Sequence, residues 1–519
     1  MSTSLETATQ PEQLRRVVIE PLTRVEGHGK VTLLLDQHDR VQQARLHIVE
    51  FRGFEKFIQG RPYWELPVLV QRLCGICPVS HHLAAAKACD QLVGAERLTP
   101  TAEKVRRLMH FGQVLQSHAL HFFHLSSPDL LFGFDDPVTH RNIVGLIHDH
   151  PDIARRGVLL RKYGQEVIRI TCGKRIHGTG ALPGGVNKSL SNAERDLLRT
   201  DIGQIVRWAQ DAVTLIRHIL SADAERNWRF GTVQANALSL VRGDGALELY
   251  DGVLRACDAL GNPIFDQADC HDYATLIREQ IKPWTYMKFP FIAALGPDSG
   301  WYRVGPLARI GNCDHIDTPL AEQERIALLE VDHGRAVQAL MANHWARMIE
   351  LLHCAESIER LLDDPDIGGS DLLREGKRQG TGIGVIEAPR GTLFHHYEVG
   401  DDGLVRRANL IVSTTHNNQV MNESIREVAR VYLDGNRLTE PLLNRIEIAI
   451  RAYDPCLSCA THALGKMPLE IELLDADGNV RQRMRKRASG DVEAELPLAD
   501  NDVLEPVDGR GPLSLIHIS

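Results

Sequence analysis

The chain has 519 residues, 43% of them hydrophobic and 24% charged, and a formal net charge of −9. That length allows several domains of ~100–200 residues or one large unit with a buried core, and the acidic balance without any long basic run argues against a nucleic-acid surface. No stretch of about 18 uninterrupted apolar residues occurs, so no membrane span is expected; ten cysteines are too sparse for a small secreted disulfide scaffold. Arg15-Arg16 resembles a twin-arginine signal, but Val17-Val18-Ile19-Glu20 is too short for an apolar signal core, and cytoplasm is the default location.

Residues 1–16 are polar at the start and read as a flexible N-terminus. Strand patterns at 17–19, 31–35 and 43–49, around the turn at Gly27 and Gly29, predict a small sheet. Helical periodicity follows at 101–126, 137–166, 192–220, 321–361 and 418–433, with Asn192 as the cap of the third. Strand and loop signals occupy 225–312 and 382–414, and a helix over 437–452 delivers the chain to Asp454. Beyond 462 come a strand-like run at 469–473, a basic run at 481–487 and an acidic stretch that reads as disordered from about 488. The expected fold class is α+β, mainly α: a large helical-bundle core with small peripheral β-sheets, over one body from 17 to 462 and an extension from 463 to 519.

Two C-x-x-C units carry the chemistry: Cys74-Gly75-Ile76-Cys77 and Cys456-Leu457-Ser458-Cys459, the second followed by His462. Gly75 is expected to let the backbone turn between its thiols. Four cysteines in two such units can supply four thiolates to one metal. Structural zinc is the bland reading, but its pairs usually lie ~15–20 residues apart, not at opposite ends of a chain. Cys89, Cys172, Cys257, Cys270, Cys313 and Cys354 have no pair spacing and read as inert thiols. His110, His118, His121 and His124 fall at helical spacing and read as packing or subunit-contact residues before a second metal site.

The joint pattern of Arg72-Leu73-Cys74-Gly75-Ile76-Cys77-Pro78 and Asp454-Pro455-Cys456-x-x-Cys459-x-x-His462 resembles the large, catalytic subunit of [NiFe] hydrogenases. Further segments extend the likeness, among them Arg24-Val25-Glu26-Gly27-His28, Phe51-Arg52-Gly53-Phe54-Glu55 and Glu387-Ala388-Pro389-Arg390-Gly391; the nearest branch resembles the soluble NAD-reducing (bidirectional) enzymes. The resemblance implies that Cys74, Cys77, Cys456 and Cys459 bind nickel, with Cys77 and Cys459 bridging to an iron that carries cyanide and carbon monoxide. Soft thiolates suit such metals. It implies Cys456 as the base in hydrogen splitting, Glu26 as proton acceptor, and Arg390, with Pro389 beside it, above the metals. Thr414 would donate to a cyanide, although Ser413 and His416 depart from the most familiar pattern, and His81 would bond the sulfur of Cys77. Glu55 and His462 resemble ligands of a magnesium ion or residues that hold its waters, and the precursor would be cut between His462 and Ala463 by a nickel-dependent maturation endopeptidase. The plain alternatives are a turn carboxylate capping amides for Glu26 and a structural ion pair for Arg390.

The chain has no dinucleotide fingerprint and no four-cysteine iron–sulfur run. The resemblance therefore implies flavin/NAD diaphorase subunits and an iron–sulfur small subunit, which together hold the iron–sulfur clusters, FMN and NAD. The alternatives are a soluble hydrogenase with another electron acceptor, or a non-hydrogenase scaffold related to the quinone-site subunit of respiratory complex I.

Overall fold

The structure, a computed structural model, describes residues 15–19, 22–38, 40–331, 334, 336–433, 440–460, 469–474, 480–486 and 492–495. Strands β1 (Arg15–Ile19), β2 (Gly29–Leu35) and β3 (Val41–Ile48) form the expected antiparallel N-terminal sheet. Its buried face, Val31, Leu33 and Leu46 included, joins the main apolar core.

The body is helical. Helix α1 (Pro78–Leu92) is buried almost all round, and α2 (Pro100–Leu120) starts where the Thr99 hydroxyl accepts from Ala102 N. Helix α3 (Pro151–Cys172) lies against α2 at two facing glycines: a Cβ on Gly164 would sit 2.6 Å from Gly112 O. Helix α4 (Asn192–Ala222) buries Leu198, Ile202, Ile205, Ala209, Ala212 and Ile216, an apolar stripe at helical period. Its cap is Ser191 rather than Asn192: the Ser191 hydroxyl accepts from Glu194 N while the Glu194 carboxylate returns to Ser191 N. Helix α5 (Ala342–Asp363) runs through the centre with most of its side chains buried.

Two of the expected helices are broken. The 137–166 pattern resolves into a short helix, Ile143–Asp149, capped by Asn142, and then α3, which restarts at Pro151. The 321–361 pattern splits into Pro319–Glu330 and α5, with Gly334 at φ +75° between them. The 101–126 pattern runs as α2 to Leu120 and then widens into a π-turn over His121–Ser126.

Strands β4 (Thr381–Ala388), β5 (Gly391–Val399) and β6 (Val405–Ile411) make an antiparallel sheet against α1. Gly382 and Gly384 allow this contact: a Cβ on either would lie 2.0 Å from the carbonyl of Ala88 or Ala84. Ala388 pairs with Gly391, so Pro389 and Arg390 form the two-residue tip of the β4–β5 hairpin. Helices α6 (Asn418–Tyr432) and α7 (Glu440–Ala452) then bring the chain to the second cysteine pair. Past residue 460, the strands Leu469–Leu474, Val480–Lys486 and Val492–Glu495 form a sheet of their own. The last of these falls within the stretch read as disordered. Its register sets Glu493 opposite Arg485 and Glu495 opposite Arg483.

Candidate metal centre

Both cysteine pairs sit at the ends of short turns. Cys74 is extended (φ −142°, ψ 139°) after the 3-10 turn Val70–Leu73, and Cys77 is the N-cap of α1 with Pro78 at its first position. Cys74 Sγ accepts from the amides of Ile76 (3.3 Å) and Cys77 (3.1 Å), a fold-back that aims both sulfurs one way. Gly75 has φ outside the left-handed region and open space where a Cβ would stand, so this turn does not require the glycine. Cys456 caps the 3-10 turn Leu457–Cys459, which Cys459 ends; Asp454 leads into it at φ +54°, and Cys456 N donates to Thr414 Oγ1 at 2.9 Å.

The fold brings the four sulfurs together, all within 4.8 Å of one another and all buried. Cys456 Sγ lies 3.3 Å from Cys74 Sγ, 382 positions away in sequence, and 2.9 Å from Cys459 Sγ. Among the described residues this is the one group of three or more ligand side chains close enough to hold a metal ion. Burial raises the cost of a thiolate at Cys74, but hydrogen bonds from Cys456, Cys459 and Cys77 and the Arg390 charge hold it well below the usual thiol range. Burial pushes Cys456 and Cys459 well above that range, and Cys77 is raised by its Cys74 neighbour. One anion is tolerated; four thiolates require a cation among them.

Beside the sulfurs lies a small cavity, about 10 Å³ and so room for about one water, and Cys77, Cys456 and Cys459 line it. The lining also includes His81, Pro389, Arg390, Ser413 and Thr414. A closed tetrahedral zinc knuckle has no use for polar donors beside it; small ligands on a metal would meet them in Arg390 and Thr414. The donor set and the lining therefore fit a thiolate-bound metal pair with ligands of its own.

Arg390 is buried and directional. Its Nε donates to Asp454 O (2.6 Å), Nη2 to Asp454 Oδ1 (2.9 Å) and Nη1 to Ser117 Oγ (3.4 Å). The structural ion pair and the place above the cavity are thus both present. Burial pushes the Asp454 carboxyl up even with Arg390 and Arg347 beside it. Behind the hairpin tip, buried Arg309 clamps Glu350 (2.6 Å from both Nε and Nη2) and Glu387 (2.7 Å), and donates to Ala388 O (3.0 Å) and Pro389 O (3.3 Å). Sequence reading passed over Arg309, Arg347 and Glu350 and gave Glu387 no role beyond its place in the motif; the available signal was charged residues inside apolar, helix- or strand-patterned segments.

Glu26 is half-buried, and its backbone bridges to Cys456. Its carbonyl accepts from Leu457 N (3.0 Å), its Oε2 from Ser458 N (3.2 Å), and its Oε1 from the Ser458 hydroxyl. Gly27, at φ +82°, is required there, since a Cβ would stand 2.7 Å from Ser458 N. Glu55 is buried in the short helix Phe54–Phe57, with Oε1 accepting from Leu410 N at 2.8 Å. His462 and Ala463 lie outside the described residues.

The histidine run serves packing. His110 reaches Leu249 O and Glu387 O (both 3.0 Å), His118 reaches Glu350 (2.9 Å) and His121 reaches Arg451 O (2.6 Å). Of the six lone cysteines, all but the partly buried Cys270 are buried, and burial raises the thiol at Cys89, Cys172, Cys257, Cys270, Cys313 and Cys354.

Comparison with known proteins adds to this geometry. The family described as nickel-dependent hydrogenase matches residues 52–132 and 267–462, and one described as HoxL-like matches 16–51. The chain is 47% identical over 483 residues to the NAD-reducing hydrogenase HoxS subunit beta of Cupriavidus necator, covering 90% of this chain and 98% of that protein. It is 41% identical over 477 residues to one subunit of the F420-non-reducing hydrogenase of Methanothermobacter thermautotrophicus, covering 90% and 100%. A crystal structure of an NAD+-reducing [NiFe]-hydrogenase in the H2-reduced state matches with TM-score 0.85 and 57% identity, over 86% of this chain and 99% of that one. The [NiFeSe]-hydrogenase of Dm. baculatum shares the fold, with TM-score 0.68 at 22% identity over 86% and 100%.

Proposed function

The chain belongs to the nickel-dependent hydrogenase large-subunit family, and from that premise we propose that it is the hydrogen-splitting subunit of an NAD-linked enzyme. The observation that carries the reading is the buried quartet Cys74, Cys77, Cys456 and Cys459 opening onto a cavity walled by Arg390, Pro389 and Thr414. The four cysteines would hold the nickel, with Cys77 and Cys459 also serving the iron. When bound, the nickel–iron pair, with cyanide and carbon monoxide on the iron, supplies the Lewis acidity and redox capacity for H2 ⇌ 2H+ + 2e−.

The protein's own groups handle the proton and the alignment. Cys456 Sγ accepts a proton as hydrogen divides. Glu26, fastened by Ser458 to the turn between Cys456 and Cys459, receives it, and its half-buried position leads outward. Arg390 keeps a fixed charge over the cavity because Asp454 holds its Nε and Nη2. Thr414 Oγ1 already accepts from Cys456 N, so its own hydrogen remains for a cavity ligand such as cyanide. Pro389 supplies a rigid apolar wall, and His81 presents its ring beside Cys77. Glu55, with His462, is assigned to a magnesium ion.

Both electrons leave through an iron–sulfur small subunit to flavin/NAD diaphorase subunits, with FMN and NAD held there. The likeness to the HoxS subunit favours NAD over another carrier. Cleavage by a nickel-dependent endopeptidase between His462 and Ala463 completes maturation, and the enzyme works in the cytoplasm. Among the described residues no helix is long and apolar enough to cross a membrane.

The test is nickel, iron and zinc content of the chain purified with its native partners, together with infrared spectroscopy, mass of the mature chain and hydrogen-dependent NAD reduction. One nickel per chain, cyanide and carbonyl bands and a mass ending at His462 support the reading. Zinc without nickel or diatomic bands, in a processed native preparation, would sink it.

A further inference from the structure

A run of three buried side chains reaches the sulfur-lined cavity from β5. Tyr397 and His395, two residues apart and so on one face of the strand, are fully buried, as is His81 on α1. The Tyr397 hydroxyl lies 2.5 Å from His395 Nδ1, and His395 Nε2 lies 3.2 Å from His81 Nδ1. His81 in turn lines the cavity with Cys77, Cys456 and Cys459. Nothing in the proposed chemistry yet uses Tyr397 or His395.

Hydrogen bonding gives the run a direction. Among the described residues His395 Nδ1 is the one hydrogen-bond partner of the Tyr397 hydroxyl. Burial also pushes that phenol well above its ordinary range, so it keeps its proton. A buried O–H with one available acceptor donates to it, because leaving it unmade costs about 1–3 kcal/mol. His395 Nδ1 is then the acceptor, and a neutral imidazole that accepts at Nδ1 carries its hydrogen on Nε2. That hydrogen points at His81 Nδ1, which accepts in its turn.

We propose that Tyr397 and His395 are positioning residues that fix His81 as the Nε2–H tautomer, so that its ring offers a donor rather than a lone pair to the sulfur side of the cavity. A thiolate beside a donor loses part of its charge to the hydrogen bond and gives less to a bound metal. Reversing the run would put a lone pair against the sulfur and leave it more charge to give to a bound metal. The tautomer is a property of this chain alone; its consequence for the metals rests on the proposed nickel–iron centre, and the two are read separately.

The experiment is nitrogen NMR of the full-length chain carrying 15N-histidine, with His81 assigned by its loss in His81→Gln. Wild type is expected to show His81 protonated on Nε2 and unprotonated on Nδ1. Tyr397→Phe, which removes one oxygen and little volume, is expected to populate the Nδ1–H form. His395→Gln keeps one acceptor and one donor and is expected to restore the wild-type pattern, whereas His395→Leu behaves like Tyr397→Phe. In the metal-loaded complex with its partners, the carbonyl infrared band is expected at lower frequency in Tyr397→Phe and His395→Leu, with nickel content retained. A wild-type His81 protonated on Nδ1 overturns the proposal, whatever the variants do. So does a Tyr397→Phe protein with unchanged His81 nitrogens. Altered tautomers with an unmoved carbonyl band keep the positioning run and refute its reach to the metals.

Discussion

Replacing Arg309 by Met tests the support beneath the hairpin tip. The Arg309, Glu350 and Glu387 side chains have no exposure, so water cannot replace the lost guanidinium. Among the described residues Glu350 would keep His118, at 2.9 Å, and Glu387 would keep Leu240 N and the Thr392 hydroxyl, each at 2.8 Å. Breaking a buried pair by removing one partner costs about 3–5 kcal/mol, a large part of a typical total of about 5–15 kcal/mol. At about 2 °C per kcal/mol for a large domain, the thermal midpoint should fall by about 6–10 °C. The loss should also depend on pH with a defined sign. Burial opposes ionisation of Glu350, but the Arg309 charge and bonds hold it down at about 2. Without Arg309 burial raises it, so the variant loses stability as pH rises through the new value and its deficit narrows in acid. Adding Glu350→Gln and Glu387→Gln to Arg309→Met should recover much of the midpoint. Calorimetry of the three proteins at several pH values is the assay. A single variant within about 1 kcal/mol of wild type, or one whose deficit grows in acid, refutes the reasoning.

Acid should unfold the chain through its neutral histidines. Burial lowers His82, His110, His118 and His353 to about 4 each, against 6.5 unfolded; the unfolded chain therefore binds more protons between those values, and stability falls as pH drops from 6.5 to 4. His110→Gln, which can still donate to the Leu249 or Glu387 carbonyl, should flatten the slope by up to about 1.4 kcal/mol per pH unit, read from unfolding midpoints at pH 7 and 5. Gly384→Ala drives a Cβ to 2.0 Å from Ala84 O and forces α1, with Cys77 and His81, off the sheet; a loss of about 1–3 kcal/mol and reduced nickel retention are expected, and a wild-type midpoint with full nickel would contradict the close contact. Glu26→Gln keeps an acceptor for Ser458 but cannot carry the proton, so hydrogen turnover should fall about 10²–10⁴-fold with nickel and infrared bands intact; unimpaired turnover would remove Glu26 from the route.

The sequence alone marked the candidate ligands. Two C-x-x-C units made a thiolate metal site the natural reading, and periodicity marked most of the helices and all three strands of the N-terminal sheet. It misjudged Gly75 because spacing cannot say which turns need a left-handed residue, and it ran two helices through breaks set by proline, glycine and an asparagine cap. It passed over Arg309, whose partners lie 41 to 80 positions away, and it placed Asp454 in the motif without its bond to Arg390, 64 positions off.

Tertiary structure decided the rest. Only the packed fold brings Cys74 within 3.3 Å of Cys456, sets the Pro389–Arg390 tip over the sulfurs, and lines Tyr397 and His395 up behind His81. The physical reason is range. Ligand chemistry and helical period are written in residues three or four apart, whereas burial, charge compensation and hydrogen-bond direction depend on which distant atoms the core presses together.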